Sequence, residues 1–272
     1  GLDTVAPGPS DDRLARAIWR WLHPMDPERL GWMRDLADTS RTPVVESPSD
    51  ERLAAMAHVS LWTGGTDVPS TIADGIARLH RHPARCAELR ELADVLDERA
   101  DQVTRRLSML PGCEQLTEVP LHVHAAYGRD EILAAFGILQ PGERPNVREG
   151  VKYDESTNTD LFFVTVHKTA DHYSPTTMYR DYPISRELFH WESQSNTSQD
   201  SPVGRRYLDG ASRILLFVRE RRRTTTGDAA PYLFLGPATL VEARGNRPIS
   251  ITWHLAMPMP QTFFEAASAL VA

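Results

Sequence analysis

The spacing of apolar residues changes period once along this chain, between residues 111 and 119, and the change separates two kinds of structure. Before it the period is helical. Leu14, Ile18, Trp21 and Leu22 form one apolar stripe, and Leu30, Met33, Leu36 and Ala37 form a second. Ser49-Asp50-Glu51 after Pro48 opens a third segment that runs through Trp62 to the Gly64-Gly65 stop. Pro69-Ser70-Thr71 starts a fourth, ending near His80. A fifth begins at Pro83: Leu89, Leu92, Leu96, Ala100, Val103 and Leu107 keep three- and four-residue steps, predicting one long helix up to Pro111-Gly112. Trp19, Trp21, Trp32 and Trp62 read as core of this helical part.

From Val119 onward apolar and polar residues alternate. Leu121 to His124 and Leu161 to Val166 read as strands, as do Leu240-Val241 and Ile249 to Leu255. Arg213 to Val218 is a buried strand, and Pro231 to Leu235 comes after it across the polar stretch Thr224–Ala230, which predicts a hairpin. Short helices are expected at Arg129–Phe136 and from Pro260 to the end. The fold class expected is therefore α+β. Residues 1–117 form an all-helical linker or docking domain, and residues 118–272 a β-rich, barrel-like domain with flanking helices.

A hydrophobic share of 41% and a charged share of 25% in 272 residues fit a globular chain able to bury a core without staples. Cys86 and Cys113 have no paired spacing, so neither a disulfide framework nor a zinc site is expected, in keeping with a cytoplasmic setting. No apolar run approaches the roughly 20 residues of a membrane span, and Gly1–Ser10 has no signal-peptide pattern. With no initiating Met, the chain reads as a piece of a longer protein. The net charge of −7 argues against a uniformly basic surface, but the acidic excess lies mainly before Glu118, which leaves room for a local basic groove.

Catalytic patterns are sparse. Gly64-Gly65 lacks the Gly-Lys-Ser/Thr of a phosphate loop, and neither HExxH nor GxSxG occurs. His167 and Lys168 are adjacent rather than two apart, so on a strand they face opposite ways, unlike a phospholipase-type nuclease pair. His122 and His124 would share a strand face, yet no third metal ligand accompanies them. Asp154, Glu155 and Asp160 read as a solvated acidic turn. No catalytic residue, metal or cofactor is expected.

One stretch stands out. Tyr153, Phe162, Phe163, Tyr173, Tyr179, Tyr182, Phe189 and Trp191 crowd residues 151–191, interleaved with Lys152, Lys168, His172, Arg180, Arg186 and His190. Rings beside positive charge are what an unpaired or extruded base requires. Tyr173, Tyr179, Asp181, Tyr182, His190 and Trp191 are the candidate base pocket. Tyr179, Tyr182 and Trp191 equally suit internal packing, and Asp181 suits either the exocyclic amine of cytosine or an Asx-type turn. Lys152, Lys168, Arg180, Ser193, Gln194, Arg205, Arg206, Arg221 and Arg222 are the candidates for holding the DNA backbone, through phosphate and sugar contacts.

The strings Asp160–Thr165, Tyr173–Tyr179 with Asp181-Tyr182, Leu188–Gln194, Ser201–Tyr207, Leu215–Glu220, Pro231–Pro237 and Arg247–Trp253 resemble the C-terminal DUF3427-type domain of bacterial superfamily-two helicase-like proteins. The resemblance covers roughly Val119 to Ala272. In type IV restriction enzymes of the SauUSI kind such a domain comes after a phospholipase-type nuclease and a helicase motor. It is assigned there to recognition of 5-methylcytosine and 5-hydroxymethylcytosine, with a fold similar to SRA (PUA-like) base-flipping domains. The resemblance thus implies duplex DNA carrying modified cytosine as ligand, and helicase and nuclease domains of the same longer protein as partners. Cleavage and ATP hydrolysis would lie outside this chain, which is not expected to be an enzyme by itself. The rival expectation is a regulatory module that docks on the motor without reading a base.

Overall fold

The structure is a computed structural model that describes residues 9–62, 67–99, 103–143, 149–167 and 181–270. Two compact units meet in sequence at Asn146 and Val147.

The first unit holds α1 (Pro9–Arg20), α2 (Pro27–Ala37), α3 (Pro48–Leu61), α4 (Ile72–His80) and α5 (Pro83–Glu98). Their starts obey local chemistry. Asp26 accepts from the Arg29 N–H ahead of Pro27, Ser47 and Asp50 form a reciprocal capping box ahead of Pro48, and Thr71 accepts from the Asp74 N–H. The apolar stripes meet in one core that includes Leu14, Trp21, Leu30, Met33, Leu53, Trp62, Leu79 and Leu89. The fifth helix is shorter than its spacing predicts. It ends at Glu98, and Val103 is 83% exposed, off the stripe that the spacing extends through it. Arg105–Arg106 (β1) instead pairs antiparallel with His122–Val123 (β2), where the Arg106 guanidinium reaches Glu28 at 3.0 Å and Ser49 Oγ at 2.7 Å.

The strand expected over Leu121–His124 is also cut short. His124 takes φ 71, a left-handed turn, so His122 and His124 do not share a strand face. His122 Nε2 bonds the Glu28 carboxylate at 3.0 Å. Beyond β3 (Ala126–Tyr127) and α6 (Arg129–Ala135), one buried carboxylate ties this segment to the helices. Glu131 accepts from Trp21 Nε1 (3.0 Å), His23 Nε2 (2.6 Å) and the Gly128 N–H (2.6 Å). Arg29, bonded to Asp26 at 2.6 Å and to the Ala126 carbonyl at 2.6 Å, lies 3.9 Å from the Tyr127 ring centroid. Such a network places residues 118–143 with the helical unit, although their alternating composition resembles that of the second unit.

The second unit contains β4 (Val151–Asp154), β5 (Thr159–Thr165), β6 (Tyr182–Pro183), β7 (Leu188–Glu192), α7 (Pro202–Leu208), β8 (Arg213–Arg219), β9 (Tyr232–Arg244), β10 (Ser250–Leu255) and α8 (Gln261–Ala269). The strands run in the order β4-β5-β8-β9-β10-β7-β6. β5 and β8 are parallel and the other neighbouring pairs antiparallel. The expected barrel-like, SRA/PUA-like closure is not found. Closing a barrel requires the first and last strands to pair at a consistent stagger; here β4 and β6 stand at opposite edges, and the sheet is open. Both edge strands are short, four and two residues, the length at which an edge invites little pairing. Register shifts in β9, against β8 at Leu216/Phe217 and against β10 at Thr252/Trp253, mark irregularities of the bulge kind.

The hairpin expected across Thr224–Ala230 joins β8 to β9, and the single stretch Tyr232–Arg244 takes in both Pro231–Leu235 and Leu240-Val241. α7 falls within the polar run that carries Arg205 and Arg206, where period gives no helix. Its signal is local: Ser201 accepts from the Gly204 N–H, with Pro202 at the first helical position.

Candidate nucleic-acid interface

The sheet of the second unit is not buried evenly. Every residue of β5 and the five central residues of β8 are buried, so that part is covered on both faces. β7 and β10 alternate instead, which leaves one face in contact with solvent. Phe189, Trp191, Ile251, Trp253 and Leu255 point into the core, while Leu188, His190, Glu192, Ser250, Thr252 and His254 occupy the other face.

Register then builds two cross-strand rows on that outer face. Tyr182, His190, Thr252 and Glu242 lie side by side across β6, β7, β10 and β9, and Glu192, Ser250 and Arg244 form the adjacent row. Within the first row the Tyr182 and His190 rings stand 4.7 Å apart between centroids, tilted by 33°. His190 Nε2 is 3.2 Å from Ser250 Oγ, and Arg244 pairs with Glu242 at 2.7 Å. The face therefore offers half-exposed rings, hydroxyls and carboxylates, with one arginine that is already paired.

This arrangement separates the six residues expected to form a base pocket. Trp191 is only 6% exposed, its ring 4.4 Å from Phe162 and 5.6 Å from Tyr207 between centroids, on the core side of β7. Tyr182 and His190 stay together on the solvated side. Asp181 is buried, and one of its oxygens accepts the Glu192 N–H at 3.0 Å, a backbone role at the sheet edge. Tyr173 and Tyr179 lie outside the described residues, as do Lys168 and Arg180.

The candidates for backbone contact are scattered. Arg206 is drawn inward: its guanidinium forks onto Asp160 at 2.7 and 2.9 Å, and its centre lies 4.0 Å from the Tyr153 ring centroid. Ser212 Oγ donates to the same carboxylate at 2.5 Å, so a fully buried Asp160 pins α7 to the start of β5. The hydrogen bonds to Asp160 hold the Arg206 guanidinium above its ordinary value. Ser193 is buried and links β7 to Ile249, accepting its N–H at 2.8 Å. Gln194 and Arg205 are exposed and Lys152 is half-buried. Arg221 and Arg222 are exposed on the β8–β9 hairpin with Arg223, which bridges to Ala229. Counting along β9 from Ala229 to Glu242, that tip lies roughly 40 Å from the ring row.

The acidic turn has its own internal partners. Asp154 accepts from the Ser156 and Thr157 hydroxyls at 2.9 and 2.6 Å, closing the β4–β5 turn. Among the described residues no group of three or more His, Cys, Asp or Glu side chains is placed to hold a metal ion, and no helix is long and apolar enough to cross a membrane.

An open, mixed sheet with helices packed on its inner face and a ring-bearing, solvated outer face at one end is a surface-presenting α+β domain. The chain belongs to the family described as a domain of unknown function, DUF3427, whose model matches residues 121–267, more than half of its length. No curated protein matches the chain.

Proposed function

We propose that this chain is the DNA target-recognition part of a modification-dependent restriction enzyme, which reads 5-methylcytosine or 5-hydroxymethylcytosine by drawing the base out of the duplex onto the outer sheet face. The Tyr182–His190 ring pair carries the reading. It is a half-exposed aromatic surface on a rigid strand, set between hydroxyl and carboxylate neighbours. Base–ring stacking of this kind contributes about 1–3 kcal/mol per base. Glu192 lies on the same face one pleat repeat from His190 and is the acceptor for the exocyclic amine of cytosine. Arg221, Arg222 and Arg223 supply phosphate contacts that position the duplex without reading it. Nuclease and helicase domains of the same longer protein would then act on the DNA this part selects.

A single methyl group adds about 0.8 kcal/mol when buried, a preference of about fourfold. Titrating the chain with duplexes that differ only in one cytosine, unmodified, methylated or hydroxymethylated, tests the reading. Expected is salt-sensitive binding with a modest preference for the modified duplex, abolished in Tyr182→Ala and in His190→Ala. Negligible binding to all three duplexes would overturn it and favour docking on a motor domain instead.

A further inference from the structure

The helical unit contains a small cavity between α3 and α4, lined by Leu36, Ala57, Leu61, Ile72, Ile76 and Leu79 together with His58, Trp62 and Gly75. Its volume is about 10 Å³, close to the roughly 10–15 Å³ that one water molecule needs. The lining is otherwise apolar, and such cavities stay dry unless polar groups converge on them.

Two polar groups do converge. His58 Nε2 lies 3.0 Å from the Pro69 carbonyl, an acceptor only, so Nε2 carries the proton and Nδ1 of the neutral ring is left with a lone pair. His58 Nδ1 is buried without a hydrogen-bond partner among the described residues. Trp62 Nε1 is a donor on a residue only 2% exposed, and among the described residues nothing accepts its N–H. Both nitrogens border Gly75: a Cβ there would come within 2.7 Å of His58 Nδ1 and 2.8 Å of Trp62 Nε1. The glycine keeps open the volume that the two nitrogens face. Leaving a buried donor and a buried acceptor both unsatisfied costs about 1–3 kcal/mol each.

We infer that this junction is a binding site for one hydroxylic guest of water size, which accepts from Trp62 Nε1 and donates to His58 Nδ1. The guest would complete the α3–α4 contact, since one oxygen supplies the acceptor and the donor that the two rings lack. A larger alcohol does not fit the volume.

Proton NMR on the whole chain tests the site, with the Trp62 indole proton assigned by its disappearance in Trp62→Phe. The expected result is a cross-peak from that proton to a long-lived water, lost or strongly weakened in His58→Phe. Absence of the cross-peak in the unsubstituted protein would overturn the inference, and so would its persistence at full strength in His58→Phe. Should His58→Phe fail to fold, electron density at high resolution decides: one ordered oxygen between the two nitrogens supports the site, and rings closed onto each other refute it.

Discussion

His190 and Trp191 are consecutive in β7 and face opposite sides of the sheet, His190 stacked with Tyr182 at the surface and Trp191 wedged against Phe162 in the core. Strand geometry turns each side chain away from the next, so two adjacent aromatic residues cannot wall one pocket from the same strand. Any base-reading surface on β7 has to be built from the His190 side.

That division sets opposite expectations for two substitutions. Trp191→Ala should cost about 3–5 kcal/mol, as other buried tryptophans do, and Tyr182→Ala about 1 kcal/mol or less. Urea unfolding of the two variants measures both. A Trp191→Ala protein as stable as the parent would show that this ring is not core.

Arg221 and Arg222 should govern affinity without governing preference. Replacing both by Gln is expected to weaken binding to modified and unmodified duplexes by the same factor. The slope of log affinity against log salt should shrink by about 0.9 for each phosphate no longer neutralised. A change in the ratio between the two duplexes would show that these arginines take part in reading the base.

The separation of the hairpin from the ring row predicts a minimum duplex length. Roughly 40 Å corresponds to about 12 base pairs at 3.4 Å each. In a length series, duplexes much shorter than this should bind the parent and the Arg221→Gln/Arg222→Gln protein equally, and longer ones should favour the parent.

Arg206 should behave as a structural residue. Asp160→Ala removes both arms of its fork and the Ser212 hydrogen bond, at an expected cost of about 2–3 kcal/mol. Unfolding measurements should register that loss, while the salt slope for DNA stays unchanged in Arg206→Lys. A reduced slope in Arg206→Lys would place this side chain on the DNA.

Two buried groups give the helical unit a stepped response to acid. Burial holds the His58 imidazole below its ordinary value, against the opposing pull of the Pro69 carbonyl and Asp74. The unfolded chain therefore takes up that proton first, and stability falls as pH drops below about 6.5. Burial alone would raise the Glu131 carboxyl; His23, Arg29 and the Gly128 N–H outweigh it and hold it at about 2. Its contribution is complete above the unfolded carboxyl value of about 4.3 and is lost as pH falls toward about 2. Unfolding free energies from pH 8 to pH 3 should show both declines, with the upper one absent in His58→Gln. A flat profile between pH 7 and pH 5 in the parent would contradict the first.

By itself the sequence determined the element types and most of their starts. Pro27, Pro48 and Pro83, with the caps Asp26, Ser47 and Thr71, act within a few residues, and period-two alternation marks β7 and β10 without reference to any fold. Only the tertiary structure decided that α5 ends at Glu98, that residues 118–143 pack with the helices and that the sheet stays open. It also decided that Arg206 turns inward to Asp160 while Tyr182 meets His190. Local rules see one strand or one helix at a time, whereas these outcomes depend on which strands pair, in what register, and which distant carboxylate is buried close enough to hold a charge.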